Sequence, residues 1–147
     1  MVMMKDPVSG ADVEVVEYSD LKTGRLKRGK VRDVYDLGDE LLIYHTDRVS
    51  AFDVILPTPI PRKGESLQEL SVHWMKKSAR IFPNHLVSVE NSRVLRVKKA
   101  KRVDIEWVIR KYLYGSLWRS YAKGKREMYG IRFPDGLEIA EVLPLPI

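Results

Sequence analysis

Three prolines at alternate positions, Pro57, Pro59 and Pro61, divide this chain more firmly than any other feature. Proline lacks an amide N–H and its ring fixes φ, so LPTPIPRKG cannot supply a ladder of donors and reads as an extended loop. The stretch before it is strand-like. Residues 31–37 (VRDVYDL) and 41–45 (LLIYH) flank Gly38-Asp39-Glu40. β-Branched and aromatic residues on both sides of a Gly-Asp turn predict a hairpin. Residues 13–18, after a Pro-Val-Ser-Gly turn at 7–10, and residues 52–56 predict further strands. Beyond the prolines the pattern turns helical. Ser66-Leu67-Gln68-Glu69 has the form of a capping box with Ser66 as N-cap. Leu67, Leu70, Trp74 and Ile81 fall on one helical face, and Pro83 ends the run. Short β-like runs follow at 86–89, 94–97 and 104–113, then a helix at 117–123. Strands close together with one clear helix predict an α+β fold, an antiparallel sheet with a packed helix, rather than a βαβ unit. Neither GxGxxG nor GxxxxGK[ST] occurs.

Charge narrows the function classes once it is located. The 147 residues carry 26 Lys and Arg against 20 Asp and Glu, a net +6. Residues 21–32 hold six basic side chains and no acid, and residues 91–103 hold six more and no acid. The rest of the chain has 14 basic and 20 acidic residues, so it is acidic overall. Two basic segments on an acidic chain point to phosphate, on nucleic acid, lipid or nucleotide. The absence of cysteine excludes disulfides and thiolate-ligated metals. No apolar run approaches the ~20 residues needed to cross a bilayer. The first residues lack the pattern of a signal peptide, and a cytoplasmic protein is expected.

Three segments could carry chemistry. In Arg28-Gly29-Lys30-Val31-Arg32-Asp33, a glycine before a strand lets backbone amides approach a ligand. Lys30 and Arg32, two apart, share a strand face suited to a polyphosphate; on spacing alone the segment reads as a solvated basic strand start. In Thr46-Asp47-Arg48-Val49-Ser50-Ala51-Phe52-Asp53, two carboxylates, an arginine and two hydroxyls suit a polar substrate. An ordinary polar turn with a surface ion pair fits them equally. In Glu106-Trp107-Val108-Ile109-Arg110, a cation sits inside an apolar alternation, where it needs a partner. Ser116 follows Gly115 at a helix start, a natural phosphate seat. The commoner arrangement pairs such an arginine with an acid across the sheet. The histidines have no metal-ligand spacing, and Trp74, Trp107 and Trp118 are expected in the core.

In this order GKVRDVYDLGDELLI, TDRVSAFDVILPTPIPRKG, VIRKYLYGS and YGIRFPDGL resemble the SAICAR synthetases (phosphoribosylaminoimidazole-succinocarboxamide synthases) of purine biosynthesis, from about Gly29 to Ile147. The resemblance implies an ATP-grasp-like α+β pair of lobes. It also implies a ligase that joins L-aspartate to carboxyaminoimidazole ribonucleotide (CAIR), with ATP activating the CAIR carboxylate as an acyl phosphate. The roles it implies are these. Gly29, Lys30 and Arg32 take the ATP phosphates, and Glu106 lies on the strand beside the adenine. Asp47, Arg48, Ser50 and Asp53 line the substrate sites, with Lys30 and Asp53 catalytic. Arg110 and Ser116, with Arg119 as a weaker candidate, hold the imidazole nucleotide.

Family members are longer, and Val142 and Leu145 stand where the family's KLPEPI has Lys and Glu. The chain is therefore expected to be a first lobe, 1–103, followed at 104–147 by a linking strand and the opening of an incomplete second lobe. The Mg²⁺ ligands are expected in the missing C-terminal part, with none in this chain. Little activity alone and a homo-oligomeric state are expected too. A nucleic-acid-binding module is the alternative, against which the acids of TDRVSAFD count, since they would repel a phosphate backbone. Neither nucleic acid nor membrane is an expected partner.

Overall fold

The computed structural model describes residues 2–105 and 107–147. They form two compact units, Met1–Lys101 and Arg102–Ile147.

The first unit opens with a two-stranded ribbon, β1 (Val2–Lys5) and β2 (Asp12–Val15). Its turn is held by the Asp6 carboxylate, which accepts the amides of Val8 and Ser9 at 2.9 and 2.8 Å. Next come β3 (Arg25–Arg28), β4 (Arg32–Asp36) and β5 (Glu40–His45). The small hairpin β6 (Ser50–Ala51) and β7 (Val54–Ile55) follows, then α1 (Lys63–Ser78), β8 (Leu86–Val89) and β9 (Val94–Lys98). Five strands make one antiparallel sheet in the order β3-β4-β5-β9-β8. The expected β4–β5 hairpin is present, and Asp36 accepts the Gly38 amide at its turn. The expected runs at 86–89 and 94–97 are the paired β8 and β9.

Side chains alternate across a strand, so each sheet face collects every second residue. One face gathers Tyr35, Leu42 and Val94 into a buried cluster with Leu21, Leu37 and Tyr44 around it. The same phase carries Asp33 inward, fully buried. α1 packs against β5, with Gly64 and Gln68 as its buried residues.

Three expectations for this unit are corrected. Ser66 is not an N-cap. α1 starts at Lys63 after Arg62, which is left-handed at φ 60, and Ser66 Oγ donates to the Arg62 carbonyl inside the helix. The cap comes instead from a distant carboxylate, Asp47, which accepts the Gly64 amide at 2.8 Å. A remote carboxylate satisfies an orphan amide as well as a local one does, and it complements the helix dipole. The run 52–56 is not one strand, because it turns back at Phe52-Asp53 between β6 and β7. Trp74, expected in the core, is exposed, as are Leu67, Leu70 and Ile81 of the same face.

The second unit contains α2 (Gly115–Ala122) and the hairpin β10 (Glu127–Met128) with β11 (Ile131–Arg132). Its core is Leu113, Leu117, Tyr121, Met128, Phe133 and Leu143, with Trp118 packed against it. The expected helix is present, beginning two residues earlier. The expected strand 104–113 is absent among the described residues, where only the isolated Tyr112–Val142 bridge forms. The alternation there gives no buried face: Trp107 is 82% exposed and Ile109 80%.

The remote cap can be tested against the local one. A Cβ at Gly64 would fall on the His45 carbonyl oxygen and 2.7 Å from Arg93 Nη1. Gly64→Ala should therefore cost about 1–3 kcal/mol in urea unfolding, while Ser66→Ala should stay within about 0.5 kcal/mol rather than the ~1 kcal/mol of a lost N-cap.

Candidate functional site

Two buried carboxylates organise the end of the sheet where β4 begins and β5 ends. Asp33 receives the Arg48 guanidinium at 2.8 Å, both side chains being almost wholly buried. It also accepts the Ser19 amide at 2.9 Å and the Ser19 hydroxyl at 2.8 Å. Burial pushes the Asp33 carboxyl up, but the Arg48 and Ser19 hydrogen bonds outweigh it and hold the pKa below the usual carboxylate value. Asp47, also fully buried, receives Arg93 at 2.8 Å and the amides of Val16 and Gly64 at 2.9 and 2.8 Å.

Arg48 does more than neutralise Asp33. Its guanidinium donates to the carbonyls of Lys30 and Gly29, each at 2.9 Å, and to that of Glu17. The Tyr18 ring lies 5.0 Å from both the Arg28 and the Arg48 guanidinium carbons. One planar cation with five donors thus fixes the backbone before and within the basic segment, a task suited to a rigid fork. The Gly29 amide closes the same turn by donating to the Arg32 carbonyl at 2.7 Å.

Lys30 is carried outward on this pinned turn. Its ammonium pairs with Asp53, and both side chains are exposed. The Lys30 hydrogen bond, with its charge, lowers the Asp53 pKa. Exposed pairs add little stability, so each partner is free to exchange for a ligand. Asp53 stands in the two-residue β6–β7 turn. There Phe52 and Asp53 are both left-handed, at φ 49 and 66, where such turns favour Asn-Gly. Each costs about 1 kcal/mol or more, and Phe52 is fully exposed.

The sequence-derived site residues therefore separate into kinds. Gly29, Lys30, Arg32 and Asp53 are exposed, and Lys30 and Asp53 meet. Ser50 is half-buried in β6. Asp47 and Arg48, expected as substrate contacts, turn their charged atoms into the interior, at 0% and 2% exposure. In the second unit, Arg110 Nη2 donates to Ser116 Oγ at 3.0 Å, so the two expected anion ligands come together, and Arg119 is exposed. Glu106 lies outside the described residues.

Sequence reasoning missed Asp33, Ser19, Arg93, Lys63 and Gly64. Asp33 was visible in principle, because it shares the inward phase of β4 with Tyr35. Arg93 was concealed in a run that holds six basic residues and no acid. Arg96 of that run pairs with Glu40 and Glu90, and Lys99 with Asp36, so acids outside the run meet part of its charge.

The SAICAR synthetase family model matches residues 25–147. The chain belongs to the SAICAR synthetase family. A phosphoribosylaminoimidazole-succinocarboxamide synthase of Desulfosudis oleivorans is 47% identical over 137 residues, covering 83% of this chain and 46% of the relative. One from Legionella pneumophila (strain Paris) is 47% identical over 131 residues, covering 86% and 42%. A solved SAICAR synthase from Saccharomyces cerevisiae, complexed with SAICAR, superposes with a TM-score of 0.81 at 33% identity, over 90% of this chain and 52% of that one. A type-2 SAICAR synthetase in complex with ADP has the same fold at 24% identity, with a TM-score of 0.66. The chain thus has the SAICAR synthase fold and spans less than half the length of these curated relatives.

Removing the cation of a buried pair strands the carboxylate. Arg48→Met should cost about 3–5 kcal/mol in urea unfolding, and Asp33→Asn combined with Arg48→Met should recover much of that loss. A second test concerns pH. Burial first, and Arg32 next, lower the His45 pKa from 6.5, so the fold accepts the neutral imidazole. The unfolded chain takes up a proton as pH falls through about 6.5 and the folded chain does so only at lower pH. Stability should be full above that pH and decline below it, and His45→Gln should flatten unfolding free energy between pH 7 and 5.5.

Proposed function

We propose that this chain supplies the phosphate-binding turn and part of the substrate site of an ATP-dependent ligase joining L-aspartate to CAIR. The observation that carries the reading is the pinned Gly29–Lys30 turn in a chain of this family: an exposed cation on a backbone held by Arg48. ATP supplies the phosphoryl group that turns a carboxylate oxygen into a leaving group. The aspartate amine then forms the amide C–N bond as phosphate departs, leaving SAICAR, ADP and inorganic phosphate.

Within that reaction the residues divide the work. Lys30, with Arg32, neutralises charge on the transferring group, and the glycine at 29 admits close approach of phosphate oxygens. Asp53 holds Lys30 when no nucleotide is bound and is released to the substrate amine when phosphate takes its place. Ser50 offers a hydroxyl beside it. Asp47 and Arg48 act through others: Arg48 fixes the Gly29–Lys30 carbonyls, and Asp47 fixes the start of α1. Arg110 and Ser116 hold an anionic group of the imidazole nucleotide, with Arg119 as a further cation, and the adenine role of Glu106 rests on the family resemblance alone.

Among the described residues no three carboxylate or imidazole groups come together as a metal site. They do not fit Mg²⁺, so no step is derived through it. The ATP-grasp-like character of the fold, a cytoplasmic setting and a homo-oligomeric state belong to the same reading. No helix is long and apolar enough to cross a membrane among the described residues.

ATP should raise the melting temperature of the chain, because a ligand that binds only the native state stabilises it. Lys30→Ala should abolish most of that rise while leaving the unliganded melting temperature within a degree or two, as expected for an exposed side chain. The 147-residue chain alone should show little or no SAICAR formation. Rapid turnover by it, or an ATP shift indifferent to Lys30, would count against this assignment.

A further inference from the structure

A second cationic locus lies on the sheet face covered by α1, and the ligase assignment gives its Lys63 and His45 no task. β4 places Arg32 opposite His45 of β5. Antiparallel partners share a face, so both lie at the start of α1, where Lys63 stands. These residues border a cavity of about 210 Å³, lined also by the Thr46 and Ser71 side chains.

Four observations give the cavity its chemistry. The first is charge: two of its lining side chains are cations and none is an acid. Neither Arg32 nor Lys63 has an ion-pair partner among the described residues. The carboxylate that acts on Lys63 is Asp47, already held by Arg93. The second is donor capacity. Lys63 Nζ donates one hydrogen bond, to the Arg48 carbonyl at 2.7 Å, and keeps two N–H groups. The third is His45, only 5% exposed, whose buried imidazole adds a polar wall without adding a carboxylate. The fourth is size. Pockets for whole ligands run to roughly 300–1,000 Å³, so this one admits a terminal group rather than a nucleotide.

We infer that the cavity bounded by Arg32, His45 and Lys63 is an oxyanion seat that takes a phosphate or carboxylate group, with Lys63 and Arg32 as its cations. Burial and the neighbouring Arg32 guanidinium already hold the Lys63 pKa below its ordinary value. An anion between the two cations relieves that repulsion, and charge-assisted hydrogen bonds to it are the strong kind. The inference rests on the ligase reading only through Arg32, which both employ.

The test uses the 147-residue chain, with amide resonances followed by NMR during titration with pyrophosphate, succinate and ATP. Saturable shifts at Thr46 and Gly64 with pyrophosphate or succinate are expected, and the tighter of the two identifies phosphate or carboxylate as the natural group. Lys63→Met and Arg32→Gln should each weaken that binding about tenfold or more. Lys63→Arg should hold it within about threefold, which separates charge loss from misfolding. Lys30→Ala should leave it within about twofold while weakening ATP. Binding unchanged in folded Lys63→Met, or shifts confined to Gly29 and Lys30, would overturn the seat and leave the ligase reading standing. Seat binding in a chain that ignores ATP would support the seat and remove the nucleotide role of Lys30.

Discussion

A charged carboxylate cannot stay in a protein interior without a partner, and two of them, Asp33 and Asp47, are fully buried in the first unit. Each is met by a guanidinium at 2.8 Å. Neither pair closes on itself. Asp33 also takes the Ser19 amide and hydroxyl, and Arg48 runs on to three carbonyls. Asp47 takes the amides of Val16 and Gly64. The desolvation of the ions is offset by hydrogen bonds to chain segments that have no ladder to join. Those segments are the approach to β3, the turn into β4 and the first turn of α1. The pairs thus specify where loops sit, and the exposed chemistry of Lys30 and Asp53 inherits that placement.

This arrangement explains why a glycine is needed at 64. α1 enters beneath the His45 carbonyl and the Arg93 guanidinium, so close that any Cβ collides with one or the other. The helix cannot retreat, because its Gly64 amide is bonded to Asp47. Pro57, Pro59 and Pro61 deliver the chain to this point without competing for hydrogen bonds. The loop they form is tied back by the Ile60 amide, which donates to the Asp47 carbonyl at 3.0 Å. The backbone of Asp47 holds the incoming loop while its side chain holds the helix that follows.

Much of the sheet was legible in the sequence because its determinants are local. The β4–β5 hairpin has its turn residues between two β-rich runs, and β8 and β9 are bounded by polar turns. What escaped depends on partners far along the chain. The capping box at Ser66–Glu69 has the correct local form, yet the helix begins four residues earlier, where a carboxylate 17 residues before Gly64 takes its amide. Arg93 sits in a run whose composition suggests a solvated face, whereas its carboxylate lies 46 residues away in sequence. The alternation at 104–113 misled for the opposite reason. Period 2 signals a strand only where a second strand and a buried face exist; residues 110–113 pair with 140–147 through backbone hydrogen bonds, but the described residues of 104–109 have no such partner and stay exposed.

The same reasoning alters what the motif TDRVSAFD is for. Read as a polar loop, its acids and arginine look like ligands in waiting. In three dimensions its first half is structural: Thr46 donates to the Val31 carbonyl, Asp47 anchors α1, and Arg48 clamps the turn at Gly29 and Lys30. Only the second half, ending in the strained Phe52-Asp53 turn, faces outward. Eight residues thus join a buried clamp to an exposed tip, and Lys30, reached from both ends, is where they converge. Its backbone is fixed by Arg48, and its ammonium is held by Asp53. A cation placed by the interior and only loosely paired at the surface can be handed to an incoming phosphate without moving the chain that carries it. That preorganisation is what electrostatic stabilisation of a transferring phosphoryl group requires.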